Sequence, residues 1–363
     1  MDAGQSERRA SMLNPLRGGR FRAGRRPAAP AQKLPWQDFG IETMTGGRGI
    51  LILGAGRSGT STLARGLIAL NVTLGRQFHR PVRKNPRGQF EEVHLLSLSK
   101  AVRNTLGLRA DSVRLLSDQD WQEAALEPLR RNVREAVAKQ FGNDPIWAFK
   151  YGSTGRILPF WFDILPDMGI EPSFVFAYRN PLSVAHSRSR LDSERGRVAK
   201  NNFEWLVNVV PYFHLVRGYR TVVVDYDQLI SDPGPQLRRL ADRLGLPMTP
   251  EAETGIATFE KAFLRKDLQH THFTDADLLA DPDTHPLVRR AAHLLAALAR
   301  DERSIDENAL WAEWRDIRSG VQDLAPTLTL VDALSSDVRR ASWWDLRKPL
   351  RLAWRKMPLL RVR

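Results

Sequence analysis

Gly49-Ile50-Leu51-Ile52-Leu53-Gly54-Ala55-Gly56-Arg57-Ser58-Gly59-Thr60-Ser61-Thr62-Leu63 is the stretch that decides the fold. Residues 49–54 are a short apolar run closing on glycine, the pattern of a buried strand. Thr60–Leu70 follows with Leu63, Leu67, Ile68 and Leu70 at helical spacing. A glycine-rich loop joins the two, so the unit reads strand, loop, helix. Such a unit turns backbone N–H groups and a helix N-terminus toward an anion.

Further along the chain, strand-like runs stand at Ile146–Phe149, Ser173–Tyr178 and Thr221–Val224. Helix-like sequence separates them, at Trp121–Phe141 among others. Pro233–Leu244 repeats the helical pattern after a Ser-Asp-Pro start signal. Strands alternating with helices predict an α/β fold of three layers, α/β/α, with a central parallel sheet. The segment from Pro250 to His285 is irregular and reads as an insertion or lid. Pro286–Arg318 reads as two more helices.

With 42% hydrophobic and 26% charged residues in 363, the chain has the composition of a globular protein. It has no cysteine, which excludes disulfides, cysteine nucleophiles and thiolate metal sites, and suits a reducing cytoplasm. The net charge of +14 lies entirely in two tails. Residues 1–33 carry eight basic residues against Asp2 and Glu7, and 338–363 carry nine against Asp345. The span 34–337 is formally neutral, so the high pI is no argument for nucleic-acid binding. Residues 1–33 are expected to be a disordered basic arm, 34–337 the folded domain and 338–363 a basic amphipathic segment. No run reaches the ~18–20 apolar residues of a membrane span. The Arg-rich start has no apolar core of a secretory signal, so a cytoplasmic location is expected.

The loop 54–61 admits several readings. It matches the G-x-G-x-x-G dinucleotide fingerprint, but no acidic residue follows about 20 positions on. It nearly matches the nucleotide P-loop, but Thr60 stands where the phosphate-binding lysine belongs. Val222-Val223-Val224-Asp225 would then be the metal-holding strand end. A ligand-free turn is a further reading, with Ser58, Thr60 and Ser61 as helix caps. Last, Arg57-Ser58-Gly59-Thr60-Ser61-Thr62 resembles the 5′-phosphosulfate loop of sulfotransferases, a P-loop without its lysine. A basic residue precedes Ser-Gly-Thr in that family, and Arg57 stands there.

A second segment strengthens the resemblance. The strand Ser173–Tyr178 is followed by Arg179-Asn180-Pro181 and a helix carrying Ser187, eight residues after Arg179. Sulfotransferases show this pattern, and the resemblance assigns Arg179 and Ser187 to the 3′-phosphate of the donor, a group absent from ATP and NAD. Asp225-Tyr226-Asp227-Gln228-Leu229, Asp232-Pro233 and Leu244-Gly245 match a family segment read as scaffold. Asn85-Pro86-Arg87-Gly88-Gln89-Phe90-Glu91 is similar to a segment of bacterial members. The resemblance spans about residues 48–250. It implies a P-loop NTPase-like fold and a co-substrate, 3′-phosphoadenosine 5′-phosphosulfate, bound by Arg57, Ser58, Gly59, Thr60, Ser61, Arg179 and Ser187. It also implies sulfonate transfer to a hydroxyl or amine.

Transfer needs a base for the acceptor and a cation for the leaving oxygen. Cytosolic members place Lys-Thr-His at a strand end. Here the corresponding residues are Lys150-Tyr151-Gly152, with glycine at the histidine position. Other branches use a glutamate near the first helix, which makes Glu91, with Glu92 next, the candidate base. Lys150 and Arg57 are the candidate cations, and Arg156 is a further one. Trp147, Phe160 and Trp161 read as core or as lining for a sugar or lipid. The histidines do not cluster and no metal is expected. Arg265 and Lys266 are candidates to close over the 3′-phosphate. Carbohydrate, lipid and small-molecule acceptors all stay open. From Pro349 the C-terminal segment reads as a helix that either packs on the domain or lies on an anionic membrane surface. The rival readings are a P-loop kinase or NTPase, and an inactive nucleotide- or membrane-binding module.

Overall fold

All four apolar runs form strands, and the reason lies in their lack of polar alternation: a strand covered on both faces needs apolar residues at every position. The structure is a computed structural model that describes residues 47–78, 90–191, 197–263 and 272–355, with side chains described as far as Arg340. These residues fall in one unit, Glu42–Arg363. The arm 1–33, Arg265, Lys266, and most of the segment that includes Asn85–Gln89 lie outside the described residues.

Strand β1 (Gly47–Gly54) leads through the loop into helix α1 (Thr60–Ala69). Helices α2 (Val93–Thr105) and α3 (Leu126–Phe141) precede β2 (Ile146–Lys150), and α4 (Leu158–Ile164) precedes β3 (Ile170–Tyr178). Then come α5 (Pro181–Ser189), α6 (Val198–Phe213) and β4 (Thr221–Asp225). Helices α7 (Tyr226–Ser231), α8 (Pro233–Leu244), α9 (Pro250–Phe263), α10 (Asp275–Ala280), α11 (Pro286–Ala299), α12 (Asn308–Asp323) and α13 (Ala325–Arg355) complete the described chain.

The sheet order is β2-β1-β3-β4, and every pairing is parallel. Ile52 aligns with Lys150, Gly54 with Ala177, and Tyr178 with Asp225. The register therefore brings the C-terminal ends of all four strands to one edge. The chain leaves β1 for β2 on one side and returns to β3 on the other, so the loop after β1 sits at the point where the winding reverses. In open α/β sheets that crevice is where ligands bind.

Leu51, Leu53, Phe149, Phe174 and Phe176 point into one core with α2, α3, α4, α6, α11 and α12. Ile50, Ile52, Val175, Val222 and Val224 point into the other, with α1, α8 and α9. Trp147, Phe160 and Trp161 are all buried in the first core, with Trp147 stacked on Phe141 at 4.4 Å between ring centroids. They pack the scaffold rather than line a pocket.

Three elements differ from the sequence expectation, one of them α10 (Asp275–Ala280), which lies in the segment read as irregular and is started by a Thr274–Asp277 capping box. Pro250–Phe263, read as irregular, is helix α9, with Ala252, Ile256 and Phe259 buried along one side. The last helix begins at Ala325 rather than Pro349, because Leu328 is buried with Val113 and Val207 and anchors its first turn.

Candidate functional site

The β1–α1 loop is built as an anion cradle. Ser58 donates its Oγ to the Ala55 carbonyl at 2.6 Å, and its amide to the same oxygen at 3.1 Å, closing a tight turn. Arg57 and Gly59 take left-handed backbone, φ 76° and 91°. A Cβ at Gly59 would overlap the Tyr226 ring, so the ring and the loop share a space only glycine allows. Helix α1 starts with Gly59 as its N-cap, no side chain caps it, and no acid stands in its first turn. The end thus retains the positive pole of the helix for an external anion. Thr60 is buried and Ser61 half-buried in that first turn. Ser58 holds the turn, and neither it, Thr60 nor Ser61 caps the helix.

The strand–helix junction after β3 comes to the same place. Asn180 caps α5 by accepting the Leu182 amide at 2.9 Å, which fixes the helix carrying Ser187. Arg57 Nε donates to Ser187 Oγ at 3.1 Å, and Arg179 Nη1 reaches the Arg57 carbonyl at 3.4 Å. Arg179 lies over the Tyr226 ring at 4.6 Å and 3.9 Å from Asp227 Oδ1. Its buried Nε is the atom that faces Asp227, and it makes no hydrogen bond among the described residues. Packing around Arg57 and the like charge of Arg179 lower the Arg57 pKa from its ordinary value. Two guanidiniums that disfavour each other beside an uncapped helix end fit a phosphate.

The opposite strand end does not fit a nucleotide hydrolase. Asp225 accepts the amides of Asp227 and Gln228 at 2.7 and 3.3 Å and so caps α7. Burial pushes its pKa up.

The sequence model of the sulfotransferase family matches residues 49–250, more than half of the chain. The chain belongs to the sulfotransferase family. Solved structures similar to it include sulfotransferase STF1 from Mycobacterium tuberculosis H37Rv, at 19% identity over 61% of this chain and 74% of that one, TM-score 0.40. Sulfotransferase STF9 from Mycobacterium avium is similar at 18% identity over 60% and 68%, TM-score 0.39. The sulfotransferase domain of the Synechococcus PCC 7002 olefin synthase is similar at 18% identity over 71% and 95%, TM-score 0.38. No curated protein matches the chain.

In this sulfotransferase the two glutamates before α2 have different surroundings. Glu92 is fully buried, accepts the Leu95 amide at 2.8 Å and so caps α2, and also meets His94 at 3.0 Å. Glu91 instead faces Lys150, Oε1 to Nζ at 2.8 Å, across the C-terminal end of β2. Both members of this pair are buried, at 7% and 5% exposure. Burial pushes the Lys150 ammonium down, Glu91 pulls it back up, and Arg57 is close enough to push it down again. Lys150 and Arg57 therefore bear on one another at the same strand edge. A Cβ at Gly152 would meet no atom of the described residues within 4 Å.

Arg156 has a structural role. It is buried, its Nη atoms donate to the Ser112 and Arg114 carbonyls at 2.9 and 2.6 Å, and burial pushes its pKa down to about 10. Tyr226 and Asp227, read as scaffold, contact Arg179 directly, and His272 meets Asp227 at 3.3 Å. Their place immediately after β4 was the available signal, since that strand end borders the crevice.

Proposed function

We propose that this chain transfers the sulfonate of 3′-phosphoadenosine 5′-phosphosulfate to a hydroxyl or amine of a carbohydrate, lipid or small-molecule acceptor. The observation that carries the reading is the convergence of Arg57, Arg179 and Ser187 on an uncapped helix N-terminus. Arg179 and Ser187 hold the 3′-phosphate. The first-turn amides, with Ser58, Gly59, Thr60 and Ser61 shaping them, hold the 5′-phosphate. Arg57 and Lys150 supply positive charge where the bridging oxygen leaves. Glu91 takes the acceptor proton as the new S–O bond (S–N for an amine) forms and the S–O bond to the bridging oxygen of the phosphate breaks. With Thr60 in place of the P-loop lysine and Asp225 engaged as a cap, the kinase reading lacks both of its key groups.

Turnover is the test. Candidate acceptors are added with the donor, and adenosine 3′,5′-bisphosphate release is followed with and without magnesium. Acceptor-dependent release without magnesium is expected. Magnesium-dependent ATP turnover would contradict the proposal.

A peripheral membrane contact is supported by α13. Leu330, Leu334 and Val338 are exposed at intervals of four, one apolar stripe leading into the basic segment 338–363. Such a helix lies in an anionic interface rather than crossing it. Vesicles containing phosphatidylserine should float the wild type, and floating should drop when all three are changed to serine. Equal flotation would remove this contact from the reading.

A further inference from the structure

Arg188 and Glu204 form a buried ion pair that sulfonate transfer as described above does not use. Arg188 follows Ser187 on α5, and Glu204 lies within the apolar sequence of α6. Their side chains are 7% and 2% exposed and meet at 3.0 Å. Arg188 Nη1 also donates to Asn201 Oδ1 at 3.1 Å, and Asn201 Nδ2 donates to the Pro181 carbonyl at 3.1 Å. Helix α6 thus grips α5 at both ends. A further contact points toward the loop: Arg188 Nη2 donates to the Gly56 carbonyl at 3.3 Å.

We infer that Arg188, oriented by Glu204 and Asn201, is a positioning residue that aims the loop's Arg57 amide at the donor's 5′-phosphate. The inference rests on the donor-site reading. The Gly56–Arg57 peptide is planar and trans, so its C=O and N–H point in opposite directions. Drawing the Gly56 oxygen toward Arg188 turns the Arg57 N–H away from α5, to the concave side of the loop. Arg57 holds a left-handed backbone, φ 76°, which a non-glycine residue keeps only when its surroundings enforce it. Two consecutive residues of α5 do so: Ser187 takes the Arg57 side chain and Arg188 takes the carbonyl before it. The pair is buried because a guanidinium must stay fixed to fork between Glu204 and a backbone oxygen. A lysine, a single point charge, cannot serve both.

Removing Arg188 alone strands a buried carboxylate and risks unfolding. The test therefore uses Arg188→Met/Glu204→Met, which replaces both charges with apolar volume, together with Arg188→Lys. Calorimetry measures binding of adenosine 3′,5′-bisphosphate and of adenosine 3′-phosphate, which lacks the group the loop holds. Folding is checked by thermal melting. Both variants should lose roughly tenfold in affinity for the bisphosphate, the scale of one charged hydrogen bond, and keep wild-type affinity for the 3′-phosphate. Bisphosphate affinity within about twofold of wild type would overturn the inference, as would equal weakening of both ligands. A wild type that binds neither nucleotide would instead overturn the donor-site reading beneath it.

Discussion

Arg179 sits among Tyr226, Asp227 and the Arg57 carbonyl, its buried Nε facing Asp227 Oδ1 at 3.9 Å and making no hydrogen bond among the described residues. That long ion pair leaves the guanidinium's charge only partly balanced, which suits it to a phosphate. Arg179→Ala should weaken adenosine 3′,5′-bisphosphate binding by at least about tenfold and leave the melting temperature nearly unchanged. Glu91 differs, because it is half of a buried pair. Glu91→Gln should lower kcat by about 100-fold or more while donor affinity stays within about twofold, as loss of a general base requires. It should also cost about 3 kcal/mol of stability by leaving the Lys150 charge uncompensated, which urea denaturation would measure. At this scale the sequence singled out residues that the structure brings together. Arg57, Arg179 and Ser187 follow strands recognisable by their apolar runs. Tyr226 did not announce itself, because its work depends on a ring lying against Gly59 and beneath Arg179, a contact between distant segments. The lone Glu204 within the apolar α6 was a visible sign of a buried partner, but the partner's place was not visible.

Among the elements, the loop is the least tolerant. Gly59 combines positive φ with a position where a Cβ would overlap the Tyr226 ring. Gly59→Ala should destabilise the protein by about 1–3 kcal/mol and abolish measurable bisphosphate binding. Adding Tyr226→Leu should recover part of the stability but not the binding, since the φ constraint remains. The strands were legible because burial on both faces makes each a continuous apolar run. Helix α9 was not. Among its described side chains the buried side carries Ala252, Ile256 and Phe259, with charged and threonine residues between them. Gly255, which reads as a breaker, is there because a Cβ would overlap the Ala69 carbonyl of α1. The two helices touch through backbone, and the sequence code for that contact is the same as for a turn.

Over the whole molecule, acid should loosen the fold in a defined window. His214, in the turn after α6, is held neutral: burial first, then the charge of Arg318, push its pKa down to about 4. A base whose folded pKa is depressed contributes stability above its unfolded value, near 6.5, and loses it as pH falls toward the folded value. Unfolding free energy should therefore decline by up to about 2 kcal/mol between pH 6.5 and pH 4. His214→Gln should flatten that part of the profile, as denaturant titrations at several pH values would reveal. The three-layer architecture follows from alternating strands and helices, and the crevice at the reversal of winding follows from the order β2-β1-β3-β4. What that crevice binds is most directly measured by calorimetric titration of the wild type and Arg179→Ala with adenosine 3′,5′-bisphosphate and, separately, with ATP and magnesium. Selective binding of the bisphosphate, lost in the variant, is the predicted result. Equal or tighter binding of ATP, indifferent to Arg179, would contradict a sulfonate-donor site.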